Sequence, residues 1–270
     1  MDTKNILFII VVVVSVLLTI LSCNNRGDNM DNEALKLLYR DTKEFNKEYK
    51  DKEIDLSNAK MNKMTIKGAN LTEANMQGAD LRNTSFRQSN LSNATLSKAV
   101  MTGASFVNCK LNGIIIKNTR LNKVEFQTST INNADLTDSN LTEVSFKYCN
   151  LTYSTIKNLK CSECVFYNSE IQYCEAQNST YEKGIVNNSN FLGSNLTDAR
   201  FNTKIIEDSS FARSNLTRTD FSESILKGQL WSQPEFLKTE AQNASFSKCK
   251  MYFVSMMYAN LENADFTDAY

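Results

Sequence analysis

The chain has 270 residues, 41% of them apolar and 22% charged, and its 30 basic and 30 acidic side chains cancel. That balance singles out neither nucleic acid nor an acidic surface as a partner. Histidine is absent and there are only eight glycines and one proline, so composition weighs against an enzyme built on histidine acid–base chemistry, histidine metal ligands or a glycine-rich phosphate loop.

The first element is a targeting segment. Lys4 supplies the positive charge, Ile6 to Leu21 is almost wholly apolar, and Ser22-Cys23 closes it. Ile20-Leu21-Ser22-Cys23 resembles a bacterial lipobox, although Leu21 is bulkier than the small residue usual there. The resemblance implies a signal peptide over residues 1–22, a lipid anchor on Cys23 and a place in the bacterial cell envelope, without choosing between inner and outer membrane. An uncleaved membrane helix is the rival reading, since roughly seventeen apolar residues reach the lower limit of a span. The polar residues 23–31 read as a flexible tether, and Arg26-Gly27-Asp28 within it as a chance tripeptide.

Residues 32–51 change period. Leu35, Leu38, Phe45 and Tyr49 fall on one side of a helix, with Asp31 or Asn32 as N-cap and Glu33 favourable to the helix dipole. A short amphipathic helix beside a repeat has an obvious use, because the open end of a solenoid needs a cap. Docking on a partner or on lipid headgroups is the alternative.

From Leu56 to Phe266 an apolar residue recurs every five positions, forty-three centres in a row, the exceptions being Cys161, Ala176 and Ala241. Two residues before each centre the side chain is small, as at Ala69, Ala74, Ala79, Thr84 and Cys109. Phe86, Phe106, Phe126, Phe146 and Phe166 add a period of twenty, so four short units make one larger unit. Asn or Asp often stands between the small residue and the centre, as in Ala69-Asn70-Leu71-Thr72, Ala79-Asp80-Leu81-Arg82 and Ala134-Asp135-Leu136-Thr137.

These quartets resemble the pentapeptide repeat family, A(D/N)LXX, over residues 52–270. The resemblance implies an all-β solenoid, a right-handed quadrilateral β-helix of about eleven coils behind the short α-helical cap. Stacked at the interstrand distance, such a rod is roughly 50 Å long. Counting by twenty puts Val186, Ile206, Leu226, Phe246 and Phe266 on the phenylalanine side, and Phe191, Phe211, Trp231 and Met251 on the next.

Before the centre, Ile54, Met64, Ile114, Leu159, Lys204, Gln229 and Pro234 are too large or too polar for the small position. Local distortion is expected at Lys204, and at about 226–243 a disturbed coil, read as a bulge or an outward loop of one coil's length. Cys109, Cys149, Cys164, Cys174 and Cys249 occupy small positions and Cys161 a centre, so packing is the expected role. A disulfide, or a zinc site in the cluster Cys149, Cys161, Cys164 and Cys174, is the lesser alternative, and Cys161-Ser-Glu-Cys164 lacks a second pair at ligand spacing on the same side. No catalytic residue, metal site or cofactor is expected.

Residues just before a centre face water, which makes Val165, Ile185, Ile205 and Ile225 an exposed β-branched stripe, with Tyr148, Tyr153, Tyr167 and Tyr173 beside its lower end. Such ladders mark contacts, unless neighbouring side chains cover them. Near the C-terminus Tyr252, Phe253, Met257 and Tyr258 either cap the last coil or form an end-to-end homodimer contact, as in some members of the family. The expected function is a non-catalytic, membrane-anchored lipoprotein that holds an unknown protein partner on a rigid rod, with no nucleic acid. The alternative, implied by the family, is a topoisomerase-binding DNA mimic. The export signal and the balanced charge on each face disfavour it.

Overall fold

The computed structural model describes residues 32–228 and 236–270. The residues read above as a signal segment and tether, Cys23 among them, together with Gln229, Leu230, Trp231 and Pro234, lie outside the described residues.

Two helices precede the solenoid rather than one: α1, Glu33–Arg40, and α2, Thr42–Glu48. Asp41 separates them, ending α1 and accepting hydrogen bonds from the Lys43 and Glu44 amides as the N-cap of α2. Asn32 caps α1 in the same way through the Leu35 amide. Leu35, Leu38 and Phe45 are buried in the same cluster as the solenoid core. Asn46 completes the seal by donating to Gly68 O at 2.8 Å and accepting from the Asn70 amide at 2.8 Å, standing in for the strand that the first coil lacks.

Beyond α2 the chain winds as a parallel β-solenoid. Three-residue strands from Thr65–Lys67 to Lys250–Tyr252 form a ten-stranded parallel sheet, and Arg120–Asn122, Asn140–Thr142, Lys160–Ser162 and Thr180–Glu182 form a second sheet on another side. Bridges hold the remaining sides. One column runs through Asp55, Asn75, Thr95, Ile115, Asp135, Thr155, Glu175, Asn195, Asn215, Glu240 and Asn260.

Each pentapeptide supplies one side and one corner. Its centre points inward, and the residue two positions later turns the corner with positive φ, as at Asn58, Glu73, Asn83, Asn93 and Asn118. Asparagine tolerates that conformation best among residues with a side chain, which accounts for its abundance there. Glycine takes some corners for a second reason: at Gly113 an added Cβ would stand 2.2 Å from Asn93 Oδ1, one coil below. The small inward residue carries its own bond. Thr84 Oγ1, Ser129 Oγ and Cys149 Sγ donate to the carbonyls of Met61, Phe106 and Phe126, each 23 residues earlier, at 2.7, 3.2 and 3.3 Å. Ser, Thr or Cys at this position therefore satisfies a buried carbonyl, and Ala simply fills the space.

The core changes character halfway up. Phe86 to Phe166 stack as one column with centroids 4.9–5.1 Å apart. Above Phe166 the aromatics leave that column for the two flanking it. Tyr181, Phe201 and Phe221 stack on one side and Phe191, Phe211 and Phe236 on the other, with edge contacts between them such as Phe201–Phe211 at 5.5 Å and 88°. Ala176, a buried centre in the coil that also holds Tyr181 and Phe191, makes room for them.

Four expectations meet the structure here, three of them corrected and the distortion at Lys204 kept. Leu226 pairs with Met251 rather than with Phe246, and Asn215 bridges Glu240, so one coil is 25 residues long. The enlargement is one pentapeptide, not a whole coil. Phe246 and Phe266 accordingly stack above Phe221, Phe236 takes the place above Phe211, and Met251 belongs to the phenylalanine side. A spacing of five cannot report this, because one extra unit keeps the inward phase while rotating every later centre by one side.

Second, Ile54, Ile114 and Leu159 are buried at the small position. Leu159 stands in the same pentapeptide as Cys161, whose small side chain offsets its volume. Third, the chain avoids an inward Lys204 by turning Thr203 in, where its amide donates to Ser224 Oγ at 3.2 Å, while Lys204 faces water. Distortion there was expected, but Thr203's part in it was not. Fourth, Cys161 and Cys164 form a disulfide, whereas Cys109, Cys149, Cys174 and Cys249 are free and buried.

Candidate recognition surface

Most of the outer surface is Asn, Ser, Thr and charged residues, a consequence of alternation along each three-residue strand. Charges on neighbouring coils neutralise one another. Arg218 contacts Asp198 at 2.6 Å, Arg200 contacts Asp220 at 3.3 Å, and Lys227 contacts Glu207 at 3.8 Å. Hydrogen bonds from the Arg218 guanidinium hold Asp198 below the usual carboxylate range. Exposed pairs of this kind contribute about 0–1 kcal/mol each. Their effect is to counter Asp198, Asp220 and Glu207 rather than leave these three as part of a negative stripe.

Against this background the β-branched residues stand out. The strand register places Ile185 directly above Val165 and below Ile205, and Ile206 beneath Leu226, so that Ile225 continues the line. Ile185 is 36% exposed, and Val165, Ile205 and Ile225 are half-buried against their neighbours. The stripe has polar ends, Ser145 below Val165 and Lys250 above Ile225.

The four tyrosines form two pairs. Tyr148 meets Tyr167 edge-on at 5.5 Å beside the stripe, and Tyr153 stacks on Tyr173 at 5.4 Å on the next corner. Tyr173 lies over Gly193, where an added Cβ would come within 2.6 Å of the ring. Tyr148, Tyr153 and Tyr173 hold positive φ despite their bulk, so the corners themselves present these rings outward. All four are exposed.

At the C-terminal end Tyr252, Phe253, Met257 and Tyr258 are exposed, and Met251, Val254, Met256 and Leu261 are only half-buried against the core. The 25-residue coil gives Tyr252 a place that counting by twenty misses: it pairs with Lys227, in the same outward column as Tyr167, Asn187 and Glu207. Also missed was a second apolar column. Leu192, Ala212, Leu237 and Met257 follow one another on the neighbouring side, each linked to the next by a backbone bond from the following residue: Gly193 to Ala212 O, Arg213 to Leu237 O and Lys238 to Met257 O. Counting by twenty and then by twenty-five would have found it.

An open groove of about 430 Å³ beside Gly68, Asn70, Asn90 and Lys110 lacks any grouping of acids and bases suited to catalysis. Among the described residues no cluster of His, Cys, Asp or Glu is arranged to hold a metal ion, and no helix is long and apolar enough to cross a membrane. Burial pushes the Cys149 thiol up to about 11 and that of Cys174 to about 12, which keeps both protonated and unreactive at neutral pH.

Comparison with known proteins agrees with this geometry. A family model described as "Pentapeptide repeats (8 copies)" matches residues 52–88, and a second, "Pentapeptide repeat region", matches residues 85–156. No curated protein sequence matches the chain. Among solved structures, a trypsin-treated form of QnrB1, a plasmid-mediated fluoroquinolone resistance protein, aligns with a TM-score of 0.50 and 13% identity over 78% of this chain and 88% of that one. HetL, a pentapeptide repeat protein involved in heterocyst differentiation regulation in the cyanobacterium Nostoc sp. strain PCC 7120, aligns over 78% and 89% with 18% identity and a TM-score of 0.29. At these identities the likeness to QnrB1 is one of fold.

Proposed function

The chain belongs to the pentapeptide repeat proteins, and from that premise we propose that it is a non-catalytic rod that holds a protein partner on its upper half, tethered to the bacterial envelope through a lipid on Cys23. The observation that carries the binding role is the Val165–Ile185–Ile205–Ile225 stripe flanked by two exposed tyrosine pairs, on a surface otherwise polar and charge-paired. Tyrosine beside aliphatic residues is the composition of a contact core, since it offers large apolar area at low entropic cost.

Two features support the address. The lipobox-like Ile20-Leu21-Ser22-Cys23 follows an apolar segment, and a Cys161–Cys164 disulfide is the kind of bond that persists in an oxidising compartment. The C-terminal group Tyr252, Phe253 and Tyr258 would serve a homodimer in the same framework.

The test is capture of partners from solubilised membranes with the wild type and with Ile185→Lys plus Ile205→Lys. Both variants should melt alike, and the doubly substituted rod should lose its partner; capture unchanged by the two lysines would refute the assignment of the surface. Metabolic fatty-acid labelling of the wild type and of Cys23→Ala checks the anchor independently, and an unlabelled wild type would remove it.

The second reading is the DNA mimic that binds a topoisomerase. It asks for a dominant negative stripe, and the pairing of Asp198, Asp220 and Glu207 with Arg218, Arg200 and Lys227 speaks against one.

A further inference from the structure

Five cysteines share one structural position, the small inward residue before a centre. Four of them are thiols, and each hydrogen-bonds the carbonyl of a centre in the coil below: Cys109 to Phe86 O at 3.4 Å, Cys149 to Phe126 O at 3.3 Å, Cys174 to Leu151 O at 3.1 Å and Cys249 to Phe221 O at 2.8 Å. Cys164 is the fifth. In the disulfide its sulfur carries no proton, and it stands 3.9 Å from Leu141 O, the carbonyl that occupies the same place.

A reduced Cys164 therefore has a partner waiting, in a geometry the fold uses four times elsewhere. A reduced Cys161 would be a small apolar centre, packed between Leu141 and Tyr181 as other centres are. The two residues between the cysteines make a corner at the surface, with Ser162 half-buried and Glu163 exposed at φ 57°, while Cys161 and Cys164 are both buried behind it, so a reductant reaches the bond when this corner opens. It also sits at the level where the aromatic column ends at Phe166 and the paired columns begin at Tyr181.

We propose that Cys161 and Cys164 are a reversible latch across this corner: the oxidised form ties two adjacent sides of one coil together, and the reduced form keeps the same fold with a corner that opens more readily. In the reduction a thiolate of a small dithiol attacks one sulfur and breaks the S–S bond, forming a mixed disulfide. The reductant's second thiol then displaces the protein thiolate. Two electrons and two protons pass to the cysteines and the dithiol leaves as its own disulfide. The inference stands apart from the binding reading, although Val165 and Tyr167 follow Cys164 directly.

The experiment uses the full chain with and without dithiothreitol. Alkylation in denaturant should find two more thiols after reduction, located at Cys161 and Cys164, while far-ultraviolet circular dichroism and cooperative melting persist. Hydrogen exchange at the Glu163 and Val165 amides, which bond Glu182 O and Val144 O, should speed up by roughly tenfold or more on reduction, as expected when a short cross-link is removed from a local opening. Cys161→Ser with Cys164→Ser should exchange fast under both conditions. An unchanged thiol count, unchanged exchange, or loss of the folded signal on reduction would each overturn the latch, the last by making the bond a strut that the fold cannot do without.

Discussion

Leu226 and Met251 are neighbours in the same inward column although 25 residues separate them, whereas Ile206 and Leu226, one coil below, are separated by 20. One pentapeptide has been added between two coils that otherwise stack in register. The bonds on either side of it are regular: the Gly228 amide donates to Tyr252 O at 2.8 Å and the Phe236 amide to Ser255 O at 3.0 Å.

Deleting residues 229–233 restores a spacing of 20 without changing which side chains face inward. The shortened chain is expected to fold with the same circular dichroism and a melting temperature within a few degrees of the wild type, about what a change near 1 kcal/mol gives. A collapse of the melt would mean that the added unit is structural.

Phe126 stacks between Phe106 and Phe146 and is fully buried. Phe126→Ala removes both ring contacts and leaves a cavity in a column that the β-ladders prevent from closing, so a loss of about 3–5 kcal/mol is expected. Urea unfolding with an unchanged midpoint would contradict the packing.

Tyr181 is 2% exposed, and its hydroxyl makes no hydrogen bond of full geometry among the described residues; the Ser179 side chain comes near it, but that hydroxyl already donates to Ile156 O. Burial also pushes its phenol well above the ordinary value. Tyr181→Phe keeps the stack on Phe201 and removes an uncompensated polar atom, so it should stabilise the rod by about 1 kcal/mol. A destabilised variant in the same urea titration would point to an unrecognised partner.

The buried thiols predict an alkaline limit. Burial raises Cys149 to about 11, Cys174 to about 12 and Cys249 to about 11, from an ordinary 9.0. The folded chain holds these protons more tightly than the unfolded chain, so their contribution is complete below pH 9 and is lost as pH rises toward 11–12. Cys174, with an interval of about three pH units, carries about 4 kcal/mol across it. Melting temperature should fall steeply between pH 9 and 11, and less so in Cys174→Ala; a flat profile in the wild type would contradict this.

Asn46 replaces a missing strand at the lower end of the rod. Asn46→Ala loses two bonds to the first coil at partly solvated positions, a cost of about 1–2 kcal/mol. Hydrogen exchange should quicken at the Asn70 amide, and protection there as strong as in the wild type would remove Asn46 from the cap.

The sequence by itself was enough for the solenoid, because an apolar centre every five residues, with a small residue two positions before most of them, marks a repeat, and its quartets resemble the pentapeptide repeat family, which implies the β-helix. The twenty-residue ladder of Phe86 to Phe166 fixed four units per coil, and the same repeat predicted that Ile185 and its neighbours point outward. Three things waited for the tertiary structure. Whether an irregular unit adds five residues or twenty depends on which carbonyl the next coil's amide reaches, and the inward phase is blind to it, so Phe246, Phe266, Met251 and Tyr252 changed sides. Whether an outward residue is exposed depends on the coils above and below it, which half-cover Val165, Ile205 and Ile225 while leaving Ile185 in the open. Whether Cys161 and Cys164 pair depends on two sides of a square meeting at one corner, an approach that linear spacing does not encode.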